Sequence, residues 1–330
     1  MNKYKLTRKK ITGILVGGGI IASTIVVRNN YEDFLEYEAD IHYQLENMEL
    51  FNHTIIAHRG HASIKPENSI EAIRSAVNDQ VIDYVEIDIN RTKDGIFILN
   101  HDERIAGAVI RYTTYDELKE IREATPFRRS TEISLRNQFL HNPEYNLIHH
   151  RTLQLNGKDV SLANVMDIIN YQQEKPFLID LKGYCDPEVF AYEFAPITDL
   201  FDNENNIYQS FDHELLQKLH ELRPELNLSI LVRNQQQLER YRDYYDMIGL
   251  RHNLATEEVL MRELSDNKRL FIWTMNNFQD VERVVRNSNG RQKELSFITK
   301  IPDALAVHLA QLDILYPPVE SSTKTKRIND

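Results

Sequence analysis

Between residues 54 and 299, short apolar runs rich in β-branched side chains alternate with segments of helical spacing, and that alternation limits the fold more than any other feature of the chain. The strand-like runs are 54–57, 84–89, 96–99, 177–181, 207–210, 228–232, 247–250, 270–274 and 296–299; helical patterns over 213–221, 256–264 and 279–285 fall between later ones. Lys93-Asp94-Gly95 is a turn signal, so 86–101 reads as a hairpin that fills one strand position. Eight positions result. The expected fold is α/β, a TIM-type (β/α)8 barrel with its site at the C-terminal ends of the strands. At 42% hydrophobic and 27% charged residues the chain has the means for such a core.

Polar residues gather at those strand ends. His58-Arg59-Gly60 follows the first run, Pro66-Glu67-Asn68 follows shortly, and Glu86-Ile87-Asp88 lies within the second run. Alternation sends Glu86 and Asp88 to one face, where two carboxylates repel unless a cation joins them. The hairpin places Asp88 roughly opposite His101, itself followed by Asp102. Asn68-Ser69-Ile70-Glu71 has the form of a capping box opening a helix through Val77, with Asn68 as the cap. Two imidazoles beside several carboxylates meet the demands of phosphodiester cleavage, in which anionic oxygens must be neutralised and two protons moved.

The ordered set His58-Arg59-Gly60, Pro66-Glu67-Asn68, Glu86-Ile87-Asp88, Thr92-Lys93-Asp94-Gly95 and His101-Asp102 resembles the glycerophosphodiester phosphodiesterase family. Ser210-Phe211-Asp212 and Trp273-Thr274-Met275-Asn276 are downstream echoes. The resemblance implies metal-dependent hydrolysis of a glycerophosphodiester or glycerophosphate polymer to glycerol 3-phosphate and an alcohol. It makes His58 and His101 the acid and base without saying which is which; a buried, hydrogen-bonded structural histidine is the alternative for each. Arg59 is a phosphate clamp through its bidentate fork, or else a structural ion pair. Glu67 is read as orienting its neighbours, with metal ligation and a helix-entrance role as alternatives.

Glu86 and Asp88 are the expected metal ligands, and the ion implied is Ca²⁺ or Mg²⁺ because the donors are all oxygen. The family's third ligand usually comes from a Glu-x-Lys on a later strand, where this chain has Asp180-Leu181-Lys182. Asp180 is shorter by a methylene, roughly 1.5 Å, so it reaches a cation only if its strand lies close, or through water. Lys182 is expected near the phosphate. Asn164 and Lys300 stand where the family commonly has acids, and neither is expected to carry core chemistry. Two rivals remain: a phospholipase acting on intact lipid head groups, and a catalytically weak barrel that binds glycerophosphate at an envelope.

Residues 11–27 are apolar or small throughout and follow five Lys/Arg residues. We read residues 1–30 as a basic cytoplasmic segment with an uncleaved membrane anchor, a cleaved signal peptide being the alternative; either places the rest outside the cytoplasm. Residues 31–50 have helical spacing and suit a linker helix, 51–316 the barrel, and 317–330 a disordered tail. The stretch 124–159 is long for a barrel loop and rich in Arg and His; a lid contacting the substrate and a solvated excursion are both open. Six of the 39 basic residues precede Asn29 in a stretch without acids, leaving 33 against 50 acidic ones, a balance that argues against nucleic acid. The lone Cys185 excludes an intrachain disulfide.

Overall fold

The structure, a computed structural model, describes residues 53–124 and 162–319. The anchor, the linker helix and nearly all of the 124–159 insertion lie outside the described residues, among which no helix is long and apolar enough to cross a membrane.

The chain begins with β1 (Thr54–Ala57), α1 (Ile70–Val77), β2 (Tyr84–Arg91), β3 (Phe97–Leu99) and a small ribbon of β4 (Arg104–Ile105) and β5 (Ala108–Val109), then α2 (Tyr115–Ala124). After α3 (Val165–Ile168) the alternation becomes regular: β6 (Phe177–Leu181), α4 (Pro187–Thr198), β7 (Ile207–Ser210), α5 (His213–Leu222), β8 (Asn227–Val232) and α6 (Gln235–Tyr241). It continues through β9 (Met247–Arg251), α7 (Glu257–Ser265), β10 (Arg269–Trp273), α8 (Phe278–Asn287), β11 (Leu295–Thr299) and α9 (Pro302–Leu315). Parallel pairing runs from β2 through β6, β7, β8, β9, β10 and β11 to β1, and β1 pairs back onto β2. Eight parallel strands therefore close a barrel, with β3 antiparallel on β2.

The period of two explains both the core and the site. Inward-facing Ile56, Tyr84, Leu178, Ile207, Phe271 and Ile298 form one buried cluster. Side chains two and four positions further along the same strands share that face, and they include His58, Glu86, Asp88, Asp180 and Lys300. Outward-facing Ile87, Ile89, Ile179 and Leu181 pack instead with the helix residues Ile73, Ala76, Phe190 and Phe194. The barrel floor is thus apolar and its C-terminal mouth charged, as barrel sites are built.

Three local expectations change. Ser69, not Asn68, caps α1: its hydroxyl accepts from Ala72 N at 3.1 Å, while Asn68 takes a left-handed φ of 55°. The β2–β3 hairpin pairs Ile89 with Leu99, so Asp88 faces Asn100 and His101 lies one residue beyond. At the other end, Val319 N donates to Gly290 O at 2.8 Å, so the segment assigned to the tail is held at least that far.

Candidate active site

The kink that presents the first histidine is built around Glu86. Where β1 ends, His58 N donates to Thr299 O at 2.7 Å; Arg59 then adopts φ 60° and Gly60 φ 74°. A left-handed arginine is strained by roughly 1–2 kcal/mol, and surrounding bonds hold it there. Arg59 N donates to Glu86 Oε2 at 2.7 Å, Gly60 N donates to Glu86 O at 3.0 Å, and Asn68 N donates to Arg59 O at 3.0 Å. A Cβ on Gly60 would stand 2.7 Å from the Ala72 carbonyl carbon, so no other residue fits without displacing α1.

Glu86, Asp88 and Asp180 are all buried, and each offers a carboxylate oxygen within 4.8 Å of the others. Register explains how the short Asp180 arm joins them: Asp180 is the direct partner of Asp88 across the parallel β2–β6 pair. Lys182 Nζ bridges Asp88 Oδ1 at 2.7 Å and Asp180 Oδ2 at 2.5 Å. Arg59 Nε lies 3.3 Å from Asp88 Oδ2, and Asn68 grips Asp88 twice, its Nδ2 donating to Oδ2 at 2.7 Å and its Oδ1 accepting from the Asp88 backbone at 3.1 Å.

Proton affinities divide these acids. Burial, reinforced by the charges of Asp88 and Asp180, holds the Glu86 carboxyl well above its ordinary value. Burial raises Asp180 too, in spite of Lys182. At Asp88 burial works in the same direction, but Lys182 and Arg59 outweigh it and keep this acid ionised. Two cations thus leave three crowded carboxylates short of compensation. Asp180 Oδ1 is buried with no hydrogen-bond partner. An all-oxygen donor set with an orphaned oxygen fits a hard divalent cation.

The two histidines differ. His58 is mostly buried; its Nε2 lies 3.9 Å from Glu86 Oε2 and its Nδ1 has no hydrogen-bond partner. Burial, with Arg59 and Lys300 beside it, pushes its proton affinity well below the ordinary value, so the ring is neutral near neutral pH. His101 is more open, and its Nδ1 lies 2.7 Å from Asp102 Oδ1. With Lys182, Phe211, Arg233 and Tyr241 it lines a cleft of about 770 Å³. At that cleft the Arg233 guanidinium covers the Phe211 ring at 3.7 Å, and Phe211 meets Trp273 edge-on at 5.4 Å.

Glu67 stands outside the carboxylate cluster, receiving Arg59 Nη1 at 2.8 Å and Lys300 Nζ at 2.8 Å. Burial opposes its ionisation, yet Lys300 and then Arg59 hold its carboxyl well below the usual range. Lys300, expected to stand apart from the chemistry, is instead a 2%-exposed lysine that anchors Glu67 and acts on His58. Its backbone N donates to Asn276 Oδ1 at 2.8 Å. Asn164, the other departure, caps α3 in a reciprocal box with Asp167. Sequence reasoning missed Asn68 as a holder of Asp88, although its place in Pro66-Glu67-Asn68 pointed there.

Residues 58–288 match the family model described as the glycerophosphoryl diester phosphodiesterase family. The chain belongs to this family. It is by descent a phosphoric diester hydrolase. A glycerophosphodiester phosphodiesterase of Caldanaerobacter subterraneus is 22% identical over 247 residues, covering 70% of this chain and 89% of that protein. One from Bacillus subtilis is 23% identical over 252 residues, covering 70% and 79%. Among solved structures, an Oleispira antarctica phosphodiesterase in complex with the product sn-glycerol-3-phosphate superposes with a TM-score of 0.60 at 16% identity, covering 78% of this chain and 96% of that one. A glycerophosphodiester phosphodiesterase of Thermotoga maritima gives 0.53 at 18% identity, covering 77% and 97%. At such identities the superpositions speak for the barrel alone.

Proposed function

We propose that this family member hydrolyses glycerophosphodiesters to glycerol 3-phosphate and an alcohol, using one divalent cation and the two histidines. The observation that carries the reading is the buried trio Glu86, Asp88 and Asp180 set between a neutral His58 and an open His101. A Ca²⁺ or Mg²⁺ on those three carboxylates would neutralise charge on the phosphodiester. Arg59, steadied by Glu67, and Lys182 at the cleft floor supply the fixed positive charge that meets the anionic oxygens. Neutral His58 is ready to accept a proton from the attacking hydroxyl, whether of water or of the neighbouring glycerol carbon. His101, its Nδ1 against Asp102, presents its other nitrogen as donor to the leaving oxygen in the solvent-open cleft. On the glycerol-first route a cyclic phosphate forms and the two histidines exchange duties as water opens it.

The test is release of glycerol 3-phosphate by the purified protein from glycerophosphocholine, glycerophosphoglycerol and a glycerophosphate polymer, with chelator and after Ca²⁺ or Mg²⁺ is restored. Metal-dependent release from any of these supports the reading. No release from any with either ion overturns it, and hydrolysis confined to phospholipid vesicles would indicate lipase-type action. We further propose that residues 11–27 anchor the enzyme with its barrel outside the cytoplasm. Resistance to alkaline carbonate extraction, together with digestion by protease added to intact cells, is the expected result; a secreted form beginning after about Thr24 overturns the anchor.

A further inference from the structure

Away from the carboxylate trio, one ring and two acids converge, and the two acids, Asp79 and Asp303, are hydrogen-bonded to each other. His61 lies in the loop after β1, Asp79 just past α1 and Asp303 in the first turn of α9. One donor atom from each lies within 4.8 Å of the others. The His61 ring is 4% exposed, whereas the acid side chains, at 16% and 26%, keep contact with solvent. His61 Nε2 is buried, makes no hydrogen bond, and points at Asp303 Oδ2 from 3.4 Å. Its Nδ1 lies 3.4 Å from Ser75 Oγ and 3.7 Å from Asp79 Oδ2.

We propose that His61, Asp79 and Asp303 form a second divalent-cation site, one that takes a zinc-class ion. An imidazolium bridging two carboxylates would close to about 2.7–2.9 Å on each, and neither approach here is that short. Donors around a tetrahedral zinc with bonds of about 2.0–2.1 Å stand roughly 3.4 Å apart, the separation seen between His61 and Asp303. One imidazole nitrogen with two carboxylates suits zinc better than the all-oxygen trio does. Supporting contacts are in place: Ser75 Oγ sits where it accepts an Nδ1–H, leaving the Nε2 lone pair for the ion. Val81 N donates to Asp79 Oδ1 at 2.9 Å, which turns Oδ2 toward the ring. Lys175 is the neighbouring cation, and its Nζ is engaged by the main-chain oxygens of Ala76 and Asp79. The partly exposed acids leave a side open to water as a fourth ligand. A cation there would tie the loop that carries His58 and Arg59 to the end of α1 and the start of α9.

The experiment uses the full chain stripped with chelator, in a Glu86→Gln/Asp88→Asn background that silences the catalytic trio. Calorimetric titration with zinc chloride should show one equivalent bound and a rise in Tm, with equimolar magnesium giving neither. Adding Asp303→Asn, at a partly exposed helix-start position, should weaken zinc by about 100-fold or more and remove the rise in Tm. His61→Gln is the second variant and should do the same. In the otherwise native chain, Asp303→Asn should retain glycerol 3-phosphate release, which keeps this site separate from the catalytic reading. The proposal is overturned if the background protein binds no zinc, or if Asp303→Asn or His61→Gln, once folded, binds it as the parent does.

Discussion

Replacing Lys300 with Met removes a buried cation whose Nζ lies 2.8 Å from Glu67 Oε2 and which is only 2% exposed. Breaking a buried pair from one side costs about 3–5 kcal/mol, because the surviving charge is stranded. Glu67 is 21% exposed and retains Arg59 at 2.8 Å, so the low end, about 3 kcal/mol, applies. For a domain of this size that is a fall in Tm of about 6–12 °C. Urea unfolding of wild type and Lys300→Met, monitored by circular dichroism, gives the free energy directly. The pH dependence has a definite sign. Glu67 is held below its ordinary value in the folded protein, so its contribution is complete above the unfolded value of about 4.3 and is lost as pH falls from there toward the folded one. The gap between the two proteins should therefore be full at pH 7 and narrow as pH drops through 4 toward 3. Adding Glu67→Gln to the variant should recover about 1 kcal/mol or more, since a neutral amide is cheaper to strand than a carboxylate. A Lys300→Met protein within about 0.5 kcal/mol of wild type, the range of ordinary surface substitutions, would refute the reasoning. So would a gap that widens in acid.

His58→Ala and His101→Ala should each lower turnover by about two to four orders of magnitude with the fold intact; near-native rates in either would remove that histidine from the mechanism. Because Glu86 is held above its ordinary value, the metal-free folded state binds more protons than the unfolded chain, and stability falls as pH rises from about 4. Calcium at a fixed concentration of about 100 times its Kd at pH 8 should add about 2.7 kcal/mol there and give a smaller gain in Tm at pH 5, where protonation of Glu86 competes; equal gains would show that Glu86 is not a ligand. Asp180→Ala should weaken the cation and Asp180→Glu should test the reach of the arm: tighter binding marks direct ligation, whereas no change in either variant would make Asp180 an ordinary strand residue.

What could be read in advance was what period and punctuation encode. Strand positions were legible because a buried parallel strand is a short β-branched run, and Glu86 and Asp88 shared a face because the pleat repeats every two residues. The reach of Asp180 was not legible, since it depends on the register of β6 against β2, a relation between segments about 90 residues apart. Asn68 was misread for a local reason. Its neighbour Ser69 is an equally good cap by residue type, although Ala72 three positions on completes no box, and the left-handed turn at Asn68 frees that amide to hold Asp88. Lys300 was passed over because a strand-end lysine normally reaches water; its partner is 233 positions earlier, and no local pattern carries that pairing.

Closure of the ring by β1 against β11 sets the moment in the life of the polypeptide at which it can become a catalyst. The loop bearing His58 and Arg59 belongs to the first strand, is tethered by Thr299 of the last, and has its arginine steadied through Glu67 by Lys300. A nascent chain halted between Asp180 and that strand has its carboxylate trio encoded but its first histidine untethered. Pairing between segments so distant in sequence is among the slow steps of folding, so hydrolytic competence should arrive late and all at once. Partly made chains would then pose no threat to the phosphodiesters around them.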